Sequence, residues 1–119
     1  MSKQSNIHIQ VHLDDKRRPQ RILWQADENA NPMARQDSPG MFLAFWDKNK
    51  KNAPQINLWT KDMLMHEIKY FAAEALSGMS QSLLSATGDK KIADMLQATS
   101  QKIIEHTQTE DKVSMPKQP

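Results

Sequence analysis

The chain has 119 residues, about the size of one domain, so we expect a single hydrophobic core. Sixteen Lys and Arg against fourteen Asp and Glu give a net charge of +2, too small to indicate nucleic-acid binding by itself. The absence of cysteine excludes disulfides, thiolate nucleophiles and cysteine-ligated metal sites. The sequence shows no signal-peptide pattern and no apolar run long enough to span a bilayer, so we expect a cytoplasmic protein.

The first part of the chain predicts two strands that are joined by a charged turn. Residues 7–13 alternate strictly between apolar and polar side chains, as in a strand with one buried face. Residues 14–19 are polar and end in proline, which predicts a turn. Residues 20–26 predict a second strand, and residues 27–40 have the composition of a long loop.

Two further strands are predicted before the chain becomes helical. Residues 41–46 are apolar throughout, which fits either a strand covered on both faces or a piece of helix. The preceding Pro39-Gly40 and the polar turn at 47–52 favour a strand. Residues 55–59 predict the fourth strand, and the short connections indicate an antiparallel meander.

Two helices are predicted for the second half. Thr60 is a good N-cap for the first, Ala86-Thr87-Gly88 ends it, and Asp89 can cap the second. From Thr107 onward the sequence lacks the helical period. The apolar stripes that we expect to face the core comprise Leu64, Ile68, Phe71, Ala75, Met79 and Leu83, then Ile92, Met95, Leu96, Thr99 and Ile103.

These elements together predict an α+β fold. We expect a four-stranded antiparallel meander sheet followed by two helices that pack on one of its faces. A single domain over residues 1–106 would precede a disordered C-terminal tail at residues 107–119.

Motifs that would carry catalytic chemistry are incomplete. His66-Glu67 starts like a zinc-protease helix, but Tyr70 stands where the second histidine is needed. Ser80 lacks the glycine two residues later that a nucleophile elbow requires. Asp14-Asp15 lies in a turn, where contact with water gives no division of the two carboxylates into an acid and a base. We therefore expect no enzyme activity, no metal and no cofactor.

The sheet's second face is the predicted site of partner binding. Two helices cover only one side of a sheet, so apolar side chains on the other side stay exposed unless the 27–40 loop or the tail covers them. The occupant would be an unknown protein or a second copy of the chain. The candidate residues for this surface are Leu23, Phe45, Trp59 and His12.

Basic turns offer an alternative function. The turns carry Arg17, Arg18, Lys50 and Lys51, and they would form a positive rim for phosphate or nucleic acid if they projected from one end of the sheet. Neighbouring aspartates reduce the positive charge of these turns, so we rank this alternative below partner binding.

Three segments closely resemble the gliding motility-associated GldC family of Bacteroidota. They are Leu43–Lys48, Asn57–Met63 and Ala86–Lys91, and the Leu-Trp-Thr-Lys-Asp-Met run is the most specific part. The resemblance implies a cytoplasmic accessory protein of the gliding machinery, with an unknown protein partner and no catalytic residues.

Overall fold

The structure is a computed structural model that describes residues 3–27 and 35–114. The rest of the predicted 27–40 loop and the last residues of the predicted tail lie outside the described residues. The chain divides into two compact units, which we name the sheet unit (1–63) and the helical unit (64–119). A single domain with the helices packed on one sheet face stays a prediction.

The order of elements is α+β, with the strands first and both helices after them. Among the described residues, no helix has the length and apolarity that crossing a membrane requires. The elements are β1 (Ile7–Leu13), β2 (Pro19–Ala26), β3 (Gln36–Asp37), β4 (Gly40–Ala44), β5 (Gln55–Trp59), α1 (Met65–Thr87) and α2 (Lys90–Ser114).

The strands form two antiparallel sheets, so the prediction of one four-stranded sheet is wrong. β1, β2 and β3 form the first sheet, and β4 pairs with β5 in the second. The change of partner occurs at Pro39. Before it, the Ser38 N–H donates to the Ile22 carbonyl (3.0 Å); after it, the Pro39 carbonyl accepts from the Thr60 N–H (2.8 Å). Since proline has no N–H to donate, it cannot continue the first ladder.

Strand β2 supplies the buried apolar residues of the sheet unit. Ile22 and Leu23 are 1% and 7% exposed, although adjacent residues of a strand point to opposite faces. Ile22 pairs with Val11 of β1, and Leu23 pairs with Gln10 of β1 and Asp37 of β3. β2 is therefore a central strand that is covered on both faces.

Helix α1 begins five residues later than Thr60, so the prediction that Thr60 caps it is wrong. Thr60 is 6% exposed, and its N–H is used in the bond to Pro39. Leu64 is the N-cap, and its N–H donates to Glu67 Oε1 at 2.9 Å. The carboxylate in the first turn thus satisfies a donor that the helix leaves open.

The turn between the helices confirms the sequence prediction. Gly88 adopts the left-handed conformation (φ 71°), and its N–H donates to the Leu84 carbonyl at 2.9 Å. Asp89 Oδ1 accepts from the Ile92 N–H (3.2 Å) at the start of α2. Helix α2 then continues through Thr107, which is 1% exposed, so a disordered tail does not begin there.

The two helices meet along small side chains. We name the buried residues Ala73, Ser80, Ala93, Ser100 and Thr107 the helical seam. Within each helix they recur every seven residues, or two turns, so they lie on one face. Ser80 Oγ donates to the Ala93 carbonyl and Ser100 Oγ donates to the Ala73 carbonyl, both at 2.7 Å. The buried serine hydroxyls are thus satisfied across the seam.

Candidate interaction surface

The β4–β5 hairpin has two faces that its register defines. Met41 pairs with Leu58 and Leu43 pairs with Ile56, and paired residues point to the same side of a sheet. The Phe45 N–H donates to the Pro54 carbonyl at 3.1 Å, which continues the same register past the end of β4. We name the resulting surface the apolar hairpin face; it comprises Met41, Leu43, Phe45, Ile56 and Leu58.

The apolar hairpin face is open at its centre and toward the turn. Ile56 is 51% exposed and Phe45 is 60% exposed, whereas Met41, Leu43 and Leu58 are half-buried. All its members are apolar although it belongs to a sheet of only two strands. Exposed apolar groups clustered in this way mark surfaces that bind another molecule.

The opposite face of the hairpin is mixed. Gln55 and Asn57 lie there, joined by a 3.0 Å hydrogen bond between Asn57 Nδ2 and Gln55 Oε1. Trp59 pairs with Gly40 on this side and is 42% exposed. Trp46 follows on the same side by alternation, because its neighbours Phe45 and Asp47 both make ladder bonds.

Leu23 does not belong to an exposed surface. The sequence prediction placed it on the uncovered sheet face, but it is 7% exposed and lies in the central strand of its sheet. The predicted exposure of Leu23 is therefore wrong, because β2 is buried on both of its faces and not on one. Its role in binding a partner stays a prediction.

The other three candidates are exposed but do not form one surface. His12 lies in β1 and pairs with Arg21, so it belongs to a different sheet from Phe45 and Trp59. Phe45 lies beside Pro54 and Trp59 lies five residues further along, which is roughly 17 Å of strand. These two aromatic residues also face opposite sides of the hairpin. A partner-binding role for these residues stays a prediction, and Phe45 has the most favourable position.

Asp14 fixes the first basic turn and pairs with one of its two arginines. Its Oδ1 accepts from the N–H groups of Lys16 and Arg18 (both 2.9 Å), and its Oδ2 pairs with Arg18 Nε at 3.0 Å. The backbone hydrogen bond from Arg18 is the largest cause that lowers the pKa of Asp14. Arg17 holds the left-handed conformation (φ 61°) at the tip of this turn. The carboxylate is therefore occupied in building the turn.

The second basic turn keeps its lysines available. Asp47 Oδ1 accepts from the N–H groups of Asn49 and Lys50, both at 3.0 Å, so that this carboxylate again fixes the backbone. Lys48, Lys50 and Lys51 are exposed, and none of them makes an ion pair with another described residue. The two basic turns belong to different sheets, and the structure does not show the shared rim that the sequence suggested.

A cleft of about 780 Å³ lies at the open end of the helical unit, between the first turn of α1 and the last turns of α2. Lys69 Nζ donates to Glu110 Oε1 at 2.6 Å, and the Tyr70 hydroxyl donates to Asp111 Oδ2 at 3.4 Å. The bond from Lys69 lowers the pKa of Glu110, whereas desolvation, reinforced by the charge of Asp111, raises the pKa of Tyr70. Sequence reasoning missed this cluster because its partners lie 41 residues apart.

The ionisable groups of this cleft form pairs that join the two helices. His106 Nε2 lies 3.4 Å from the same Glu110 oxygen that Lys69 binds. Among the residues that the structure describes, no group of three or more His, Asp or Glu has a geometry that could hold a metal ion. The arrangement can hold the ends of the two helices together.

Comparison with known proteins identifies a family for most of the chain. The model of a family described as gliding motility-associated protein GldC-like matches residues 19–109. No curated protein and no solved structure matches.

Proposed function

Because the chain belongs to the GldC-like family of gliding motility-associated proteins, we propose that it is a non-enzymatic accessory protein that works by binding another protein. The binding surface in this proposal is the apolar hairpin face, with Phe45 and Ile56 as its anchors. The partner would be a component of the gliding machinery in the cytoplasm. The open apolar hairpin face carries the proposal.

Leaving such an apolar face in water costs free energy that binding would recover. Burying an aromatic or branched aliphatic side chain contributes about 1.5–3 kcal/mol each. Phe45 and Ile56 are both more than half exposed, so about half of that free energy is still available for binding. Binding energy concentrates in a few well-placed apolar anchors, and aromatic residues are enriched among them.

A non-enzymatic role is supported by how the ionisable side chains are used. Asp14 fixes a turn through backbone hydrogen bonds, and Glu110 is paired with Lys69. Groups with such structural duties are poor acids or bases for catalysis, since their hydrogen bonds favour one protonation state.

Affinity capture from the native cell tests the proposal. The bait is the full chain as wild type, Phe45→Asp or Ile56→Asp, and captured proteins are identified by mass spectrometry. We expect a partner that both substitutions remove, because each places a charge in the centre of the contact. Gln55→Asp is the matched control, since it adds the same charge next to Ile56 but on the opposite face. A partner that binds all four baits equally would overturn the proposal.

One observation favours the alternative of phosphate binding. The lysines of the second basic turn make no ion pair among the described residues, whereas Arg18 and Arg21 are paired with Asp14 and Asp37. Binding to duplex or single-stranded nucleic acid would then weaken steeply with salt. An absence of binding at low ionic strength would exclude nucleic acid as the ligand.

A further inference from the structure

We propose that the tip of the β4–β5 hairpin, residues 45–52, docks on an anionic lipid bilayer. This inference develops the alternative of phosphate binding, and it names lipid headgroups as the source of the phosphate. It concerns the end of the hairpin, which shares Phe45 with the proposed protein contact but does not include Ile56. Two exposed aromatic side chains and three exposed lysines lie together at this tip.

The two aromatic residues point in opposite directions. Phe45 is 60% exposed and Trp46 is 67% exposed, and as neighbours in an extended segment they lie on opposite faces of the hairpin. A flat protein surface would cover one face and leave the other aromatic ring in water. A fluid bilayer interface surrounds an inserted tip and takes both rings, and Trp in particular favours the headgroup level.

The charges of the tip also favour lipid over protein. All three free cations are lysines, namely Lys48, Lys50 and Lys51, and Asp47 is the one acidic residue of the turn. Lysine is depleted in protein interfaces, where arginine is enriched. Lysines beside an apolar insertion are typical of segments that bind anionic membranes, because a flexible ammonium reaches the headgroups without precise geometry.

Hydrogen bonds fix the backbone of the tip, which lowers the entropy cost of presenting these groups. The Asp47 N–H donates to the Asn52 carbonyl at 2.9 Å, and Asp47 Oδ1 holds the N–H groups of Asn49 and Lys50. Lys51 closes the turn in the left-handed conformation (φ 53°). A preformed turn loses less conformational entropy on binding than a flexible loop.

The expected binding is reversible. Each lysine near an anionic surface strengthens partitioning by about fivefold, so three lysines together contribute about 100-fold. Shallow insertion of the two aromatic rings strengthens the binding further. The total membrane affinity stays near that of a single lipid anchor, which also binds reversibly.

Vesicle co-sedimentation with the full chain tests the inference. The vesicles contain equal parts of phosphatidylglycerol and phosphatidylcholine, in buffer of low ionic strength. We expect wild type to bind, the Lys48→Gln/Lys50→Gln/Lys51→Gln variant to bind about 100-fold more weakly, and Trp46→Ser to bind several-fold more weakly. The matched control is Lys61→Gln/Lys91→Gln/Lys102→Gln, which removes three exposed lysines elsewhere and lowers the net charge equally.

Further measurements distinguish lipid headgroups from free phosphate, and lipid binding from the proposed protein binding. Tryptophan emission should shift to the blue and be quenched by brominated lipid in wild type, and the Trp46→Ser variant should lose most of this response. Ile56→Asp should bind vesicles like wild type, so the loss of a captured protein and the loss of lipid binding are distinguishable. Any of three results would overturn the inference: equal losses in the two triple variants, equal binding to pure phosphatidylcholine, or competition by inorganic phosphate at concentrations matching the lipid.

Discussion

The sheet unit and the helical unit fill their interiors with side chains of different size. The sheet unit buries Ile22 and Leu23, while the helical unit buries only alanine, serine and threonine among its described residues. The helical unit also exposes large apolar side chains such as Met79 and Met95 (52% and 63%). This difference shows that the distance between packed backbones, as well as hydrophobicity, decides which residues are buried.

The helical seam shows how small side chains can be the better choice. Two helices pack at a distance set by the side chains at their contact, and small residues allow the backbones to approach. Ser80 and Ser100 then reach carbonyl groups of the opposite helix at 2.7 Å. A larger apolar residue at these positions would separate the helices and break these hydrogen bonds. The two interiors should therefore respond oppositely to changes of side-chain size.

Truncation should be most damaging in the sheet unit. Ile22→Ala removes a side chain that is 1% exposed and leaves a cavity in the central strand. We expect a loss of about 2–5 kcal/mol in the free energy of unfolding, measured by chemical denaturation. Ile7→Ala is the matched control on the same face of the first sheet, and at 71% exposure it should change stability little. Similar losses in both variants would contradict a core centred on β2.

Enlargement should be most damaging in the helical unit. Ala73 is 0% exposed, so Ala73→Leu adds volume where the helices are closest. We expect a loss of about 1–3 kcal/mol in the free energy of unfolding, because overpacking forces the helices apart. Ala98→Leu makes the same change at an exposed position of α2 and should be nearly neutral. A neutral Ala73→Leu variant would mean that the seam is not closely packed.

The sequence predicts the elements of this fold better than their partners. Period-two alternation locates β1, and Gly88 with Asp89 locates the helix turn, because these signals depend on residues close in the chain. The helix faces were predicted from hydrophobicity alone, so stripe residues such as Met79 were expected inside. The sequence analysis assigned β3 to the 27–40 loop, because a strand of two residues carries no periodic signal.

The candidate surface was also predictable only where its signal is local in the sequence. The predicted strand at 41–46 is apolar on both faces, which indicates that apolar side chains stay exposed if only one face is covered. Phe45 is indeed exposed in the structure. Leu23 was predicted to be exposed because alternation marks only one face of β2 as buried, whereas the structure buries residues of both faces. The pairing of Asp47 with its own turn, which leaves three lysines free, depends on backbone geometry that composition does not give.

The serine hydroxyls offer a finer test of the seam. Ser100→Ala removes the donor to the Ala73 carbonyl without adding volume. We expect a loss of about 0.5–1.5 kcal/mol in the free energy of unfolding, toward the lower end because the carbonyl keeps its helical hydrogen bond. Ser85→Ala at an exposed position of α1 is the control. If Ser100→Ala were as stable as wild type, close packing alone would hold the seam.

The smallest expected effect is electrostatic and concerns the open end of the helical unit. Lys69 Nζ lies 2.6 Å from Glu110 Oε1, and this bond lowers the pKa of Glu110, with His106 as a further positive neighbour. A carboxyl whose folded pKa is lowered stabilises the protein above its unfolded pKa, and this contribution is lost as the pH falls through the folded pKa. Lys69→Gln should raise the pKa of Glu110 toward its ordinary value, as followed by NMR titration of the side-chain carboxyl. Lys102→Gln on α2 should leave it unchanged; an unchanged pKa in Lys69→Gln as well would show that the two helix ends are not joined by this bond in solution.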